Sequence, residues 1–314
     1  MPFVPPKTVD RKAQTRLLAW FDEHGRHLPW RDTRDPYRTL VAEVMLQQTQ
    51  TGRVAPSYEG FLQRFPTVER LARAPAMDVI QAWRGLGYNR RAVDLHRTAQ
   101  AIVRDHGGVF PSEPGALRRL PGLGEYTSSA IACFAFDAQV PVVDTNVKRV
   151  LARSVAGKDA SEVPAEKLAR FSEEWLPDGE AYGWNQALMD VGAMVCRVSN
   201  PLCAKCPLRS TCVYRAKGRH RTAPVRAPKR EERFEGSRRQ KRGTIVDHLR
   251  RAARKGITIS ELSHLMHPDG DGDPAALAEI LNKLEREGLA ELTPAARKGS
   301  SRGIVRLPSK VGKR

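Results

Sequence analysis

The chain has 314 residues, 40% of them hydrophobic, with 53 Lys and Arg against 35 Asp and Glu and a formal net charge of +18. That length allows two or three domains with a sizeable core, and the charge points to a polyanionic partner, nucleic acid first. No stretch approaches the roughly 18 apolar residues of a membrane span, no basic amphipathic helix with a bulky apolar face suits an anionic membrane surface, and the opening MPFVPPKTVDRKAQ lacks an apolar signal-peptide core. A soluble cytoplasmic protein with no membrane partner is expected, acting at the bacterial nucleoid as a monomer.

No alternating strand pattern appears before residue 285, and helical periodicity makes the first 215 residues or so all-α. Helices are expected over 12–25, 37–54, 76–85, 90–108 and 172–196, punctuated by Gly85, Gly107, Gly108, Pro111 and Pro121. Glu43 is one charge inside the apolar stretch LVAEVMLQQTQ, with Leu40, Leu46, Gln47 and Gln50 as helical neighbours. It reads either as a buried, paired structural glutamate or as a carboxyl whose desolvation lets it hold a proton near neutral pH.

The segment LRRLPGLGEYTSSAIACFAF runs helix, tight turn, helix. Gly122 and Gly124 allow positive φ and a close backbone approach, and the helix starting near Glu125 offers free N–H groups suited to a phosphate. Asp144 then opens the helix DTNVKRVLAR. Aspartate is a favoured N-cap. A carboxylate fixed there can also stabilise the oxocarbenium-like charge that develops when a glycosidic bond breaks.

Four of the five cysteines, Cys196, Cys203, Cys206 and Cys212, fall in CRVSNPLCAKCPLRSTC, with Arg197, Lys205 and Arg209 decorating the loop. With no secretion signal, this clustering favours metal ligation over disulfides, and four thiolates can hold one tetrahedral metal or one cubane cluster. Zinc usually takes two C-x2–4-C knuckles, and this loop has one, between Cys203 and Cys206. Cys133, in AIACFAF, reads as a buried apolar residue. Residues 215–255 hold 16 Lys and Arg against four acids, and 215–236 reads as a basic linker. Three helices (241–252, 258–266, 273–288) and two short strands (289–293, 303–308) then suggest a winged-helix-like module over 237–308, which binds DNA, binds protein or packs on a neighbour.

The 6-2-5 cysteine spacing resembles the [4Fe–4S] loop of the endonuclease III and MutY class of DNA glycosylases. The hairpin, the aspartate that follows it and the cysteine loop come in that superfamily's order. LPWRDTRDPYRTLVAEVMLQQTQ, GLGYNRRA, LPGLGEYTSSAI, VDTNVKRVLAR and NQALMDVGAMVC resemble the MutY family over roughly residues 15–215. The resemblance implies an all-α helix-hairpin-helix fold: a six-helix barrel over 30–136, and an iron–sulfur domain from 1–29 and 137–214. DNA lies in the cleft between them, with the flipped base between Glu43 and Asp144. It implies a [4Fe–4S] cofactor on the four cysteines and double-stranded DNA containing a mispaired adenine as partner.

The roles implied residue by residue are these. Glu43 is the general acid and Asp144 stabilises or traps the cation. Asn146 orders water and Asp144. Tyr126 stands where endonuclease III carries its lysine nucleophile, which implies a monofunctional enzyme. Arg31, Leu46 and Gln186 line the adenine pocket. Gln48, Thr49, Leu86 and Tyr88 fill or wedge the stack around the opposite base, although Leu46 and Leu86 also read as core and Gln48 as surface. Gly122 and Gly124 meet the DNA backbone. Longer members carry a Nudix-like C-terminal domain that reads 8-oxoguanine; this tail is too short and has another element order. Removal of adenine opposite 8-oxoguanine or guanine is expected, with a thymine or uracil mismatch enzyme as the alternative. A silent DNA-binding or redox-sensing protein is disfavoured by the presence of both carboxylates.

Overall fold

The computed structural model describes residues 11–221, 235–252, 254–268 and 273–310. The helices are Arg11–His24 (α1), Pro36–Leu46 (α2), Thr51–Arg64 (α3), Val68–Arg73 (α4), Ala76–Ala82 (α5), Arg90–His106 (α6), Pro114–Arg118 (α7) and Glu125–Phe136 (α8). Then come Thr145–Leu151 (α9), Ala165–Glu174 (α10), Ala181–Asp190 (α11), Val213–Ala216 (α12), Arg238–Ala252 (α13), Ile259–Met266 (α14), Pro274–Arg286 (α15) and Pro294–Arg297 (α16). Short π-helical turns, Ala152–Ala156 and Val191–Val195, continue α9 and α11. Strands Ile257–Thr258 (β1), Glu291–Leu292 (β2) and Ile304–Arg306 (β3) form an antiparallel sheet in the order β1-β3-β2. The expectation of no strand before residue 285 fails at β1, although among the described residues no strand precedes Ile257, and no helix is long and apolar enough to cross a membrane.

The expected helix over 37–54 is two helices. The chain leaves α2 at Leu46, Gln48 takes a left-handed φ of 55°, and α3 restarts after Gln50. The expected helix over 172–196 also breaks, between Glu174 and Ala181, because Pro177 cannot donate and restricts the residue before it. The C-terminal sheet has three strands rather than two; β1 is two residues long and has no alternation to read. The linker expected over 215–236 lies largely outside the described residues.

The chain divides into two compact units. The first comprises Met1–Thr39, Ser112–Arg118 and Gly124–Lys229. In its core Ala13 and Leu17, one turn apart on α1, pack with Phe134, Val147, Val150, Phe171, Trp184 and Leu188. The second comprises Leu40–Pro111, Arg119–Leu123 and Arg230–Arg314. There Ile80 of α5 and Val93 of α6 share a cluster with Ile245, Val246 and Leu249 of α13, Leu281 and Leu284 of α15 and Val305 of β3. The C-terminal helices thus bury their apolar stripe against α5 and α6.

Candidate active site

In the second unit Glu43 sits on α2, 5% exposed and flanked by Ala42 and Val44 in an apolar interior. Beyond Leu46 the chain must turn away from the helix axis, and a buried cation fixes how. Arg91 donates from Nη1 to the carbonyls of Val44 (2.9 Å), Met45 (2.8 Å) and Gln47 (2.6 Å). From Nη2 it donates to the carbonyls of Leu86 (3.1 Å) and Gly87 (3.2 Å) and to the Thr49 hydroxyl (3.0 Å). Burial lowers the Arg91 pKa to about 10, so the group stays charged at neutral pH. A guanidinium over the last carbonyls of α2 answers both the orphan acceptors and the negative end of the helix dipole.

This hub joins the turn carrying Gln48 and Thr49 to the loop carrying Leu86 and Tyr88. Gln48 and Tyr88 are exposed, and both hold a left-handed backbone, φ 55° and 44°. Non-glycine residues there store strain that their surroundings must over-determine. Leu46 is half-buried at the end of α2. Of the two readings of Leu86, wedge and core, its 2% exposed side chain agrees with core, and the loop presents there its carbonyl, bonded by Arg91 and Thr49.

The hairpin turn packs on α6. Thr98 Oγ1 donates to the carbonyls of Asp94 and Pro121, and a Cβ at Gly122, φ 85°, would lie 2.9 Å from the Asp94 Cβ. Gly124 departs from expectation: its φ is −92° and nothing stands within 4 Å of an added Cβ, so only its place as N-cap of α8 is used.

In the first unit Asp144 is the N-cap of α9. Its Oδ1 accepts from the Val147 N–H at 2.7 Å. Its Oδ2 accepts from Asn146 Nδ2 at 2.9 Å, and Asn146 Oδ1 accepts from Arg149 at 2.7 Å. Arg149 also donates to the carbonyls of Gly192 (2.6 Å) and Cys196 (2.7 Å). The half-buried aspartate is therefore wired, through one amide and one guanidinium, to the start of the cysteine loop. A Cβ at Gly192 would lie 2.6 Å from that of Asn146, so the approach needs glycine. Asn185 holds the chain entering Asp144 by accepting from Val142 N–H and donating to the Val140 carbonyl. Tyr126, in the first turn of α8, is half-buried against the same core.

Arg31 is committed within its unit. It donates from both terminal nitrogens to Asp190, at 2.8 and 2.9 Å, and Arg26 adds its backbone N–H and side chain. Asp190 is fully buried; burial alone would raise its pKa, but the bonds from Arg31 and the Arg26 N–H outweigh it and hold the carboxyl below its usual value. Gln186 is buried one turn earlier on α11. Sequence reasoning missed both Asp190 and Arg91. For Asp190 the available signal was a lone charge in the apolar helical stretch NQALMDVGAMVC; Arg91, in YNRRAVDL beside Arg90 and Asp94, had no such signal.

The four cysteines of the loop line one cavity with Arg153, Val195 and Tyr214. Arg153 spans it, donating to Cys196 Sγ at 3.8 Å, to the Arg197 carbonyl at 2.7 Å and to Asp159 at 2.9 Å. Burial pushes the Cys206 thiol up to about 12 and raises Cys203 and Cys212. Among the described residues no group of three or more His, Cys, Asp or Glu is arranged to hold a single metal ion; the thiols surround a shared space instead.

A family model described as HhH-GPD superfamily base excision DNA repair protein matches residues 41–178. An adenine DNA glycosylase of Mycolicibacterium smegmatis is 39% identical over 282 residues, 90% of this chain and 93% of the relative. That of Mycobacterium tuberculosis is 43% identical over 274 residues, 86% of this chain and 88% of the relative. This chain belongs to the adenine DNA glycosylase family, within the HhH-GPD superfamily. The superfamily match takes in Glu43, the hairpin and Asp144 and ends before the cysteine loop. Matches over 282 and 274 residues are longer than the chain that precedes Ser237, so both run into the C-terminal module: these mycobacterial members of the family share part of the tail. Among solved structures, that of a thermostable thymine-DNA glycosylase is 31% identical with a TM-score of 0.62, covering 66% of this chain and 98% of that one.

Proposed function

We propose that this chain is a monofunctional DNA glycosylase of base excision repair, acting on adenine mispaired with 8-oxoguanine or guanine in double-stranded DNA. The observation that carries this reading is the 43% identity to an adenine DNA glycosylase over 86% of the chain. Glu43, a buried carboxyl in an apolar helix, serves as general acid and gives its proton to a ring nitrogen of the flipped adenine. The C1′–N9 bond breaks with its electron pair leaving on adenine, and an oxocarbenium ion remains on the sugar. Asp144 stabilises that cation with the carboxylate oxygen that Asn146 orients, the other being held by the helix cap. Water adds to C1′ and returns a proton to Glu43.

Tyr126 has no amine and forms no Schiff base, so the strand is left intact. Leu46 and Gln186 are each assigned to recognition of the adenine, and Arg31 contributes as an Asp190-bound group. Gln48, Thr49 and Tyr88 meet the stack around the opposite base. The Gly122 turn and the first N–H groups of α8 take the DNA backbone. The reading carries a cytoplasmic location with it.

Cys196, Cys203, Cys206 and Cys212 hold a [4Fe–4S] cluster, which when bound cross-links the loop. Four thiols around one cavity fit such a group, and the single C-x2-C knuckle favours it over zinc. Metal binding to these half-buried thiols releases their protons, Cys203, Cys206 and Cys212 having raised pKa values. Purified protein should contain iron and inorganic sulfide in equal amounts, lost in Cys206→Ser.

A single-turnover assay tests the function on end-labelled duplexes with A opposite 8-oxoguanine, A opposite G, T opposite G and U opposite G. Alkali-dependent cleavage at adenine alone is expected. The 31% identical thymine-DNA glycosylase favours a second reading, mismatch thymine or uracil removal, and cleavage at T or U would select it.

A further inference from the structure

The second unit contains a groove of about 1210 Å³; Gln48, Thr49 and Tyr88 line one side, and the reaction leaves the other side unassigned. That exceeds the roughly 300–1,000 Å³ of a small-molecule pocket. One wall is the Gln48 turn and the Tyr88 loop; the other is α13 and the end of α15 from the C-terminal module. Seven Arg and Lys line it against three acids. Each acid is already matched: Asp94 by Arg90 at 3.5 Å, Asp247 by Arg250 at 2.6 Å and Glu287 by Arg242. The excess positive charge, with Arg53, Arg239 and Lys283 exposed, asks for an anion.

The module wall is fixed, not tethered. Arg250, 7% exposed, donates to the Ile80 carbonyl at 2.9 Å and to Asn89 Oδ1 at 2.9 Å; Gln81 donates to the Arg250 carbonyl at 2.8 Å. At the far end the Ala76 N–H bonds the Ser309 carbonyl at 3.1 Å. Across the groove Arg239 donates to the Tyr88 hydroxyl at 2.9 Å and lies 5.7 Å from its ring, while Arg91 lies 5.6 Å from the same ring. Tyr88, 43% exposed, is thus a strained aromatic seated between two arginines, one contributed by the module. An aromatic rim beside a row of cations is the chemistry of a nucleic-acid track, bases stacking on the ring and phosphates meeting the charges.

We propose that the C-terminal module is the second wall of a duplex-DNA groove, with Arg239 and Lys283 taking phosphates of the strand whose bases meet Gln48 and Tyr88. The proposal rests on the reading of this chain as an enzyme of duplex DNA and gives the module its part in it. The test is equilibrium binding of an uncleavable duplex over a salt series, for the full chain, Arg239→Ala, Lys283→Ala and, as control, Lys167→Ala on exposed α10. Each groove variant should bind about fivefold to tenfold more weakly near 0.1 M salt, with the slope of log K against log salt reduced by about 0.9. The control should match the full chain. Unchanged slopes in both groove variants, or an equal loss in the control, would overturn the proposal while leaving the glycosylase reading intact. Failure of the full chain to bind duplex at all would overturn both.

Discussion

Arg91 and Arg149 solve the same problem in the two units with different reach. Each guanidinium, buried in Arg91 and half-buried in Arg149, gathers carbonyls beside a residue with a proposed part in the reaction. Arg91 collects five carbonyls and a hydroxyl from two turns far apart in sequence, and holds Gln48 and Tyr88 in left-handed backbone. Arg149 collects two carbonyls and one amide, and passes its orientation through Asn146 to Asp144. The first fixes backbone shape; the second fixes a side chain. Damage should therefore appear in different places: in folding for Arg91, in rate for Arg149.

Arg91→Met should cost most, about 4 kcal/mol from several buried carbonyls losing a donor at roughly 1–3 kcal/mol each. Urea unfolding measures it. Arg91→Lys should recover less than half, because an ammonium cannot reproduce the fork. Asp190→Asn comes next, at about 3 kcal/mol, since Arg26 and Arg31 lose their shared counter-charge. Its pH signature follows from the depressed carboxyl. Stability is present in full above the unfolded value near 3.8 and is lost as pH falls through the lower folded value. Unfolding midpoints between pH 5 and pH 2 should fall steeply for the native chain and more gently for Asp190→Asn.

Arg149→Leu should unfold only about 2 kcal/mol more easily. Single-turnover excision should slow roughly tenfold to thirtyfold with duplex affinity unchanged, the signature of a loosened aspartate. A loss of affinity in its place would assign Arg149 to DNA binding. The smallest effect is on the cap: Asp144→Ala should cost about 1 kcal/mol, while Asp144→Asn, still able to accept from Val147 N–H, should leave stability nearly unchanged.

What could be read from the sequence was local. Asp144 at a helix start, the glycine turn before Glu125 and the close-spaced cysteines each declare themselves within a few residues, and each stands where expected. What escaped depends on distant partners. QQTQ has ordinary helix propensity, and nothing within it announces the break that Arg91 imposes on the Gln47 carbonyl from 44 positions along the chain. Asp190 is explained by arginines 159 and 164 residues earlier, and Arg250 by a carbonyl 170 residues earlier. Leu86 carries two readings, a wedge implied by the resemblance and a core residue, and only packing, which buries its side chain, separates them. Buried charge is stabilised by its partners, and sequence order does not name them.

The most direct test is single-turnover excision on an A:8-oxoguanine duplex by the native chain, Glu43→Gln and Asp144→Asn, with binding and thermal unfolding measured on the same samples. Both variants should fold and bind the duplex while adenine release falls at least about a hundredfold. Excision near the native rate in either variant would contradict the proposed chemistry, because the proton donor or the cation stabiliser would then be a structural residue alone.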